Sequence, residues 1–111
     1  GFGGGMGRLR EVCGTFSGAV IVVNALYGYS DPKNVQAKTE LYSRIQELAA
    51  QFRRDNGSII CKELLGLSRP EGSPIPEART DEYYKKRPCP ELCRYSANML
   101  EEYIREHPPV K

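Results

Sequence analysis

LREVCGTFSGAVIVVNALY, residues 9–27, is a long apolar stretch in this chain of 111 residues. Its larger apolar side chains recur at three- and four-residue steps, which is the spacing of one face of an α-helix. They are Leu9, Val12, Cys13, Phe16, Val20, Val23 and Tyr27. From residue 16 onward almost the whole circumference is apolar, and a helix of that kind belongs inside a bundle. The sequence therefore predicts a buried central helix that the other elements surround.

This stretch is not expected to cross a membrane. A transmembrane helix needs about 20 consecutive apolar residues, whereas this run is shorter and is interrupted by Ser17, Gly18 and Asn24. We therefore predict that the protein is not an integral membrane protein.

The charges give no support for a nucleic-acid partner. Sixteen basic and 14 acidic side chains leave a formal net charge of +2 and are mixed along the chain. A dedicated nucleic-acid binder usually shows a basic face or stripe instead. We expect no nucleic acid among the partners.

Two further helices are predicted directly after the apolar stretch. The second helix should begin with Asp31 as its N-cap and Pro32 at its first position. It should end at Asn56, followed by Gly57 as a left-handed C-cap. Ser58 can then cap a short third helix over residues 59–65, with Cys61 in its first turn.

The C-terminal half should hold a loop and a last helix. Residues 67–80 are rich in proline and are predicted to cross the surface as an irregular loop, with one helical turn following over residues 81–87. Pro90 should open a helix that runs to about Glu106. Its inward side chains are predicted to be Leu92, Cys93, Ser96, Met99, Leu100, Tyr103 and Ile104. No alternating strand pattern is evident, so residues 1–111 are predicted to form a single all-α domain, a bundle of about four helices around the buried central apolar helix.

Glycines dominate the opening residues, GFGGGMG. Successive glycine amides can bind a phosphate, but no Gly-Lys-Ser or Gly-Lys-Thr follows here. We therefore expect these glycines to supply positive φ angles and close backbone approach.

The chain has four cysteines, at positions 13, 61, 89 and 93. Cys61 and Cys89 are predicted in or beside the first turn of a helix, where unpaired amides and the helix dipole favour thiolate over thiol. Cationic side chains flank most of the thiols in sequence. They are Arg8 and Arg10 near Cys13, Lys62 beside Cys61, and Arg87 and Arg94 around Cys89 and Cys93. Surroundings of this kind activate a thiol.

Cys89 and Cys93 are spaced to share one face of a helix. Their β-carbons should lie ~5 to 6 Å apart, whereas a disulfide needs ~3.5 to 4.5 Å. A shared metal is therefore easier than a disulfide, and a zinc or iron–sulfur site of four thiolates would need Cys13 and Cys61 to converge on the pair. The chain has no C-x-x-C-H motif, which excludes covalent c-type haem. Its single histidine, His107, lies near the C-terminus and makes a Ser–His hydrolase a distant alternative.

Several motifs together resemble the redox-active family that is named for its C_GCAxxG_C_C motif. They are Gly3-Gly4-Gly5, Gly7, Glu11-Val-Cys13-Gly14, Gly18, Tyr27-Gly28, the segment from Gly57-Ser58 through Cys61 to Gly66, and Cys89-Pro90. The family places a cysteine and a Gly-Cys-Ala segment before the glycine-rich turn, and this chain has neither. The resemblance implies that Cys13 and Cys61 are the two downstream motif cysteines, with Cys89 as an associate, while Cys93 matches no position of the pattern.

The resemblance also carries expectations about the whole protein. It implies a small, mostly helical bacterial protein, redox-active or metal-binding, often encoded near transporters and related in fold to a split-Soret type cytochrome without the haem attachment. We accordingly expect a redox or transporter-associated partner and a cytoplasmic location, with export left open. We also expect a further helical segment upstream of residue 1. Without that segment, exposed apolar surface would favour a homodimer.

Two hypotheses about function follow. In the first, Cys13 and Cys61 are the catalytic thiols, Cys89 joins them in cofactor binding, and all four cysteines are candidate metal ligands. The chemistry is then either thiol–disulfide exchange or electron transfer through zinc or an iron–sulfur cluster, and the sequence leaves that choice, and any oxidoreductase activity, open. In the second, the protein is a helical structural or interaction module, because a buried free cysteine commonly behaves as a small hydrophobe.

Overall fold

The computed structural model describes residues 1–67 and 73–109. Within these ranges the chain forms five α-helices. They are α1 (Gly14–Tyr27), α2 (Val35–Asn56), α3 (Cys61–Leu64), α4 (Asp81–Lys86) and α5 (Cys89–Glu106). The same residues contain one isolated antiparallel bridge, between Val12 and Ile60, and no sheet. The predicted all-α fold is confirmed.

The core lies where α1 packs against α2 and α5. Phe52 of α2 is completely buried at its centre. Its ring meets Phe16 of α1 edge-on at 5.7 Å between centroids and Tyr95 of α5 edge-on at 5.4 Å. Edge-to-face contacts of this kind add stability beyond the burial of the rings. One aromatic side chain thus holds the three long helices together.

The apolar helix α1 differs from its prediction at its start and on its outer face. It begins at Gly14, because residues 9–13 leave the helical course to form the bridge with Ile60, and Leu9 is 59% exposed. Among the described elements α1 packs chiefly against the two long helices α2 and α5, and Ile21 and Val22 remain exposed. The helix is therefore buried on one face, although its sequence is apolar on nearly all. No described helix is long and apolar enough to cross a membrane.

The predicted N-cap of α2 is wrong. The helix is capped by Asn34, whose Oδ1 accepts a hydrogen bond from the Ala37 amide at 2.9 Å. Asp31 accepts instead from the Lys33 amide at 2.9 Å and forms a turn before the helix. Both residues are good local acceptors, and the chain uses the first for the turn and the second for the cap. Gly57 ends the helix with φ 93°, as predicted.

The short helices and α5 lie close to their predicted positions. The predicted cap of α3 is wrong: its N-cap is Ile60, and no side chain caps it. Ser58 Oγ accepts from the Ile60 amide at 2.9 Å and donates to Glu63 Oε1 at 2.7 Å, and so organises the turn before the helix. This helix is shorter than predicted because residues 59 and 60 take part in the bridge region. Residues 68–72 of the predicted loop lie outside the described residues, and residues 73–80 form neither helix nor strand, as predicted.

Candidate cysteine site

The bridge between Val12 and Ile60 positions two of the four cysteines. The Cys13 amide donates to the Ile59 carbonyl at 2.7 Å, and the Cys61 amide donates to the Glu11 carbonyl at 2.6 Å. Side chains alternate along extended backbone, so Cys13 and Cys61, each next to a bridge residue, share one face. Diagonal neighbours in a regular antiparallel pair have α-carbons about 7 to 8 Å apart, which is longer than the ~4.4 to 6.8 Å that a disulfide spans. This pairing pattern favours two separate thiols over a disulfide.

The glycine loop, residues 1–8, covers Cys61. A β-carbon on Gly5 would stand 2.6 Å from the β-carbon of Cys61 and 2.6 Å from the Glu11 amide nitrogen. Gly5 also has φ 70°, in the left-handed region that favours glycine. The expected roles of the glycines, positive φ and close approach, are both confirmed at this position.

The left-handed course of the loop brings Arg10 to Cys61. Met6, Arg8 and Arg10 have φ values of 70°, 61° and 61°, a conformation that costs a residue with a side chain roughly 1 to 2 kcal/mol. Backbone hydrogen bonds hold this course, among them the one from the Arg10 amide to the Gly4 carbonyl at 3.0 Å. The guanidinium of Arg10 is thereby buried, and its Nη1 donates to Cys61 Sγ at 3.7 Å.

Helix α5 supplies the other two cysteines. Ser96 Oγ donates to the Thr15 carbonyl at 2.7 Å and ties α5 to the start of α1. Thr15 Oγ1 in turn lies 3.1 Å from Cys13 Sγ. Cys89 and Cys93 stand one turn apart at the beginning of α5 and face the same region as Cys13 and Cys61.

All four cysteines line one cavity of about 330 Å³, which we call the cysteine cavity. The arginines Arg10 and Arg87 and the ring of Tyr83 also line it. Cys13 and Cys61 are buried, Cys89 is partly buried and Cys93 is exposed. The cavity therefore runs from buried thiols to a thiol that solvent can reach.

The prediction that Cys93 faces inward is wrong. The buried stripe of α5 consists of Leu92, Ser96, Met99 and Tyr103. Cys93 follows Leu92 by one residue, which turns its side chain about 100° away from this stripe. It consequently lies at the solvent side of the cavity.

Comparison with known proteins identifies the family. The chain matches, over residues 1–103, the family described as "Putative redox-active protein (C_GCAxxG_C_C)". The chain belongs to this family. The matched range includes the glycine loop and all four cysteines. No curated protein and no solved structure is significantly similar to the chain, and the likeness to a split-Soret cytochrome stays a prediction.

The electrostatics of Cys89 in this C_GCAxxG_C_C protein oppose the expectation from its helix position. Burial raises the pKa of the Cys89 thiol, and the sulfurs of Cys13, Cys61 and Cys93 raise it further, while Arg87 lowers it. A thiol at a helix N-terminus was expected to be activated. Here desolvation is the largest effect, and Cys89 is held in its protonated form.

The C_GCAxxG_C_C motif cysteines do not form a ready-made metal site in this arrangement. Within residues 1–67 and 73–109, no three His, Cys, Asp or Glu side chains are grouped closely enough to hold a metal ion. A structural zinc site needs four such ligands, with sulfur about 2.3 Å from the metal. The described side chains thus do not fit a zinc or iron–sulfur centre as they stand, and the ligand set Cys13, Cys61, Cys89 and Cys93 stays a prediction.

Proximity in the sequence does not predict which cationic side chain lies beside which sulfur. Arg10 precedes Cys13 by three residues but contacts Cys61, which had been matched with its neighbour Lys62. The contact depends on the left-handed φ of Arg10, and no sequence signal shows that a residue other than glycine takes this conformation. Tyr83 and Thr15 also escaped the sequence analysis as parts of the site, because each reaches it through tertiary packing.

Proposed function

We propose that this protein is a thiol–disulfide redox protein whose reacting groups are the cysteines of the cysteine cavity. The observation that carries the proposal is the convergence of all four thiols on one cavity from three separate parts of the chain. The thiols are free, which is the reduced, electron-donating form of such a site. The membership of a family described as redox-active supports the same chemistry.

The exposures of the thiols suggest an order of reaction. Cys93 is exposed, so an incoming disulfide meets it first. Cys89 is partly buried and has a raised pKa, which suits a thiol that stays protonated until a partner sulfur is presented to it. Cys93 is then the attacking residue and Cys89 the resolving residue, with Cys13 and Cys61 as the deeper pair that can take part in further exchange.

Formation of a Cys89–Cys93 disulfide requires a local change of backbone. At one helical turn their β-carbons are ~5 to 6 Å apart, beyond the ~3.5 to 4.5 Å of a disulfide. Cys89 is the first residue of α5, and the first amides of a helix have no partner within it. Unwinding this end therefore breaks few hydrogen bonds and lets the two sulfurs meet.

Two other functions remain in competition. The convergence of four sulfurs also favours a thiolate-held zinc or iron–sulfur centre, provided that the side chains rearrange around the metal. The burial of Cys13 and Cys61, with 8% and 7% of their surface exposed, fits the structural role of small hydrophobic residues.

One series of measurements on the anaerobically purified protein separates the three. Iron, zinc, acid-labile sulfide and free thiols are measured first, and the protein is then oxidised with diamide and its disulfides are mapped. We expect four free thiols and no stoichiometric metal, followed by reversible loss of two thiols as a Cys89–Cys93 disulfide. Cys89→Ser should abolish this pair, and Cys13→Ser should retain it.

Each competing function has its own result. Stoichiometric metal that is lost on replacing Cys61 or Cys89 with serine would establish a metal centre instead. Thiols that resist diamide in the folded protein and react only in denaturant would establish the structural role.

A further inference from the structure

A second cavity adjoins the cysteine cavity. It measures about 380 Å³, and four arginines line it, Arg8, Arg10, Arg79 and Arg87, together with a single carboxylate among its described lining residues, that of Glu77. We call it the arginine cleft. Both cavities are lined by Arg10, Tyr83 and Arg87, so the two adjoin at these side chains.

The guanidiniums of the cleft are held in place by their surroundings. Arg79 and Arg87 lie over the ring of Tyr83, with 4.5 Å and 5.1 Å between guanidinium carbon and ring centroid. Arg87 Nη2 also donates to Glu77 Oε1 at 2.8 Å. Stacking on an aromatic ring and a hydrogen bond already restrict these arginine side chains, so that binding of a ligand causes a smaller loss of side-chain entropy.

Both arginines that join the cavities also act on a cysteine. Arg10 Nη1 donates to Cys61 Sγ at 3.7 Å. Burial and the neighbouring sulfurs raise the pKa of Cys89, and the positive charge of Arg87 opposes them. A negatively charged group held by Arg79 and Arg87, which both lie over the Tyr83 ring, would therefore stand beside the cysteine cavity, which Tyr83 and Arg87 also line. Planar guanidinium groups recognise carboxylates through two parallel hydrogen bonds, which gives direction as well as attraction.

We propose that the substrate of the cysteine site is a small disulfide with carboxylate groups, which the arginine cleft binds while the sulfur–sulfur bond meets the cysteines. This inference rests on the proposed thiol–disulfide function. Such a function requires a disulfide as oxidant, and the arginines select for negative charge on it. The volumes of the two cavities are those of small-molecule sites, which favours a compact disulfide over a folded protein.

The reaction balances without any further reagent. The Cys93 thiolate attacks one sulfur of the substrate, so that a mixed disulfide forms and the first substrate thiolate leaves. The Cys89 sulfur then attacks the Cys93 sulfur, and the second substrate thiolate leaves. Two electrons pass from the protein to the substrate, and the two protons of the protein thiols end on the two released thiols.

The proposal is tested with three disulfides of different charge. They are the dianionic 5,5′-dithiobis(2-nitrobenzoate), the neutral 2,2′-dithiodipyridine and the dicationic cystamine. The second-order rate constant of the reduced protein with each is divided by that of 2-mercaptoethanol, which removes the intrinsic reactivity of the disulfide. We expect this ratio to be highest for the dianion and to fall with rising ionic strength.

Variants locate the effect. Arg79→Gln should lower the rate ratio of the dianion to the neutral disulfide about tenfold, since the dianion loses a charge-assisted hydrogen bond. Arg105→Gln removes an exposed arginine that pairs with Glu101, far from the cleft in sequence and on the last turn of α5, and should change neither rate.

The outcomes for the two proposals are distinct. If the thiols react with the neutral disulfide but show no preference for the dianion, and Arg79→Gln behaves like Arg105→Gln, the anionic substrate is ruled out while thiol exchange stands. If the folded protein reacts with none of the three, the proposed function itself fails.

Discussion

Arg10 Nη1 donates to the sulfur of Cys61 at 3.7 Å, and both residues are buried. The contact joins positions 51 residues apart in the chain. A buried guanidinium is stable only where polar or charged groups surround it, and the Cys61 sulfur is one of these groups. The pair therefore couples the conformation of the glycine loop to the chemistry of one thiol.

Replacement of Arg10 should slow the reaction of Cys61 with iodoacetamide. In Arg10→Gln the sulfur loses its buried guanidinium donor, and we expect a rate about three- to tenfold lower. Arg10→Lys should fall between this variant and the wild type. The rate is followed by mass spectrometry of the peptide that contains Cys61.

Lys62→Gln is the matched control for this measurement, because Lys62 is next to Cys61 in sequence, whereas the hydrogen bond to the Cys61 sulfur comes from Arg10. It should leave the alkylation rate of Cys61 unchanged. An equal effect of both substitutions would mean that general positive charge, rather than the Arg10 contact, governs the thiol.

Gly5→Ala should destabilise the protein strongly. The new β-carbon would meet the Cys61 β-carbon and the Glu11 nitrogen at 2.6 Å each, and the backbone has φ 70°. The backbone cost of roughly 1 to 2 kcal/mol and the cost of overpacking, roughly 1 to 3 kcal/mol, should together lower the free energy of unfolding by about 2 to 5 kcal/mol. Urea denaturation measures this change.

Gly7→Ala separates the two costs. Gly7 has φ 57° in the same loop, and nothing lies within 4 Å of its added β-carbon. Only the backbone cost should remain, so the free energy of unfolding should fall by about 1 to 2 kcal/mol. If the free energy of unfolding falls by the same amount in both variants, the close approach of Gly5 to Cys61 adds no cost to the substitution.

Cys89 should titrate above the usual range of a cysteine. Its thiolate is disfavoured by burial and by the three neighbouring sulfurs, so the pKa is raised, and Arg87 opposes this effect. The alkylation rate of Cys89 should therefore increase with pH through a midpoint above that of a free thiol. Arg87→Gln should move the midpoint higher, and Cys13→Ser should move it lower.

The raised pKa also sets the sign of a stability change. The folded protein binds the Cys89 proton more tightly than the unfolded chain does, so this contribution to stability is fully present below the pKa of the unfolded chain. It is lost as the pH rises through the pKa of the folded state. A midpoint at or below that of a free thiol, in the Cys89 alkylation profile, would contradict both statements.

Phe52→Ala should remove much of the stability of the core. Phe52 is completely buried and contacts the rings of Phe16 and Tyr95, and truncation of a buried phenylalanine typically costs about 3 to 5 kcal/mol. Thermal and urea unfolding report the loss. Val35→Ala, on the same helix but 72% exposed, should change the free energy of unfolding by no more than about 0.5 kcal/mol.

Local chemistry explains which parts of the fold were predictable from the sequence. Gly57 ends α2 and Pro90 lies in the first turn of α5 because a left-handed cap and a missing amide donor act within a few residues. Asp31 and Asn34 compete for the same role three residues apart, and local rules do not rank them. The prediction therefore failed at this N-cap and succeeded at the other two boundaries.

The arrangement of the cysteine cavity could not be predicted in the same way. It depends on the bridge between Val12 and Ile60 and on the left-handed course of the glycine loop, which are set by contacts between distant parts of the chain. Cys93 was misplaced for a simpler reason. The register of the buried stripe on α5 follows Leu92, and a shift of one residue changes a buried position into an exposed one.

Because of the bridge between Val12 and Ile60, the buried thiols of Cys13 and Cys61 should become exposed together, when this part of the structure opens. The amides of Cys13 and Cys61 are hydrogen-bonded across the bridge, to Ile59 and Glu11 respectively. Loss of the bridge frees Cys13 and Cys61 at once, because each of the two hydrogen bonds ties the segment of one cysteine to the segment of the other. Oxidants larger than the cavity therefore gain access to the two sulfurs together, through one local unfolding equilibrium with a single protection factor.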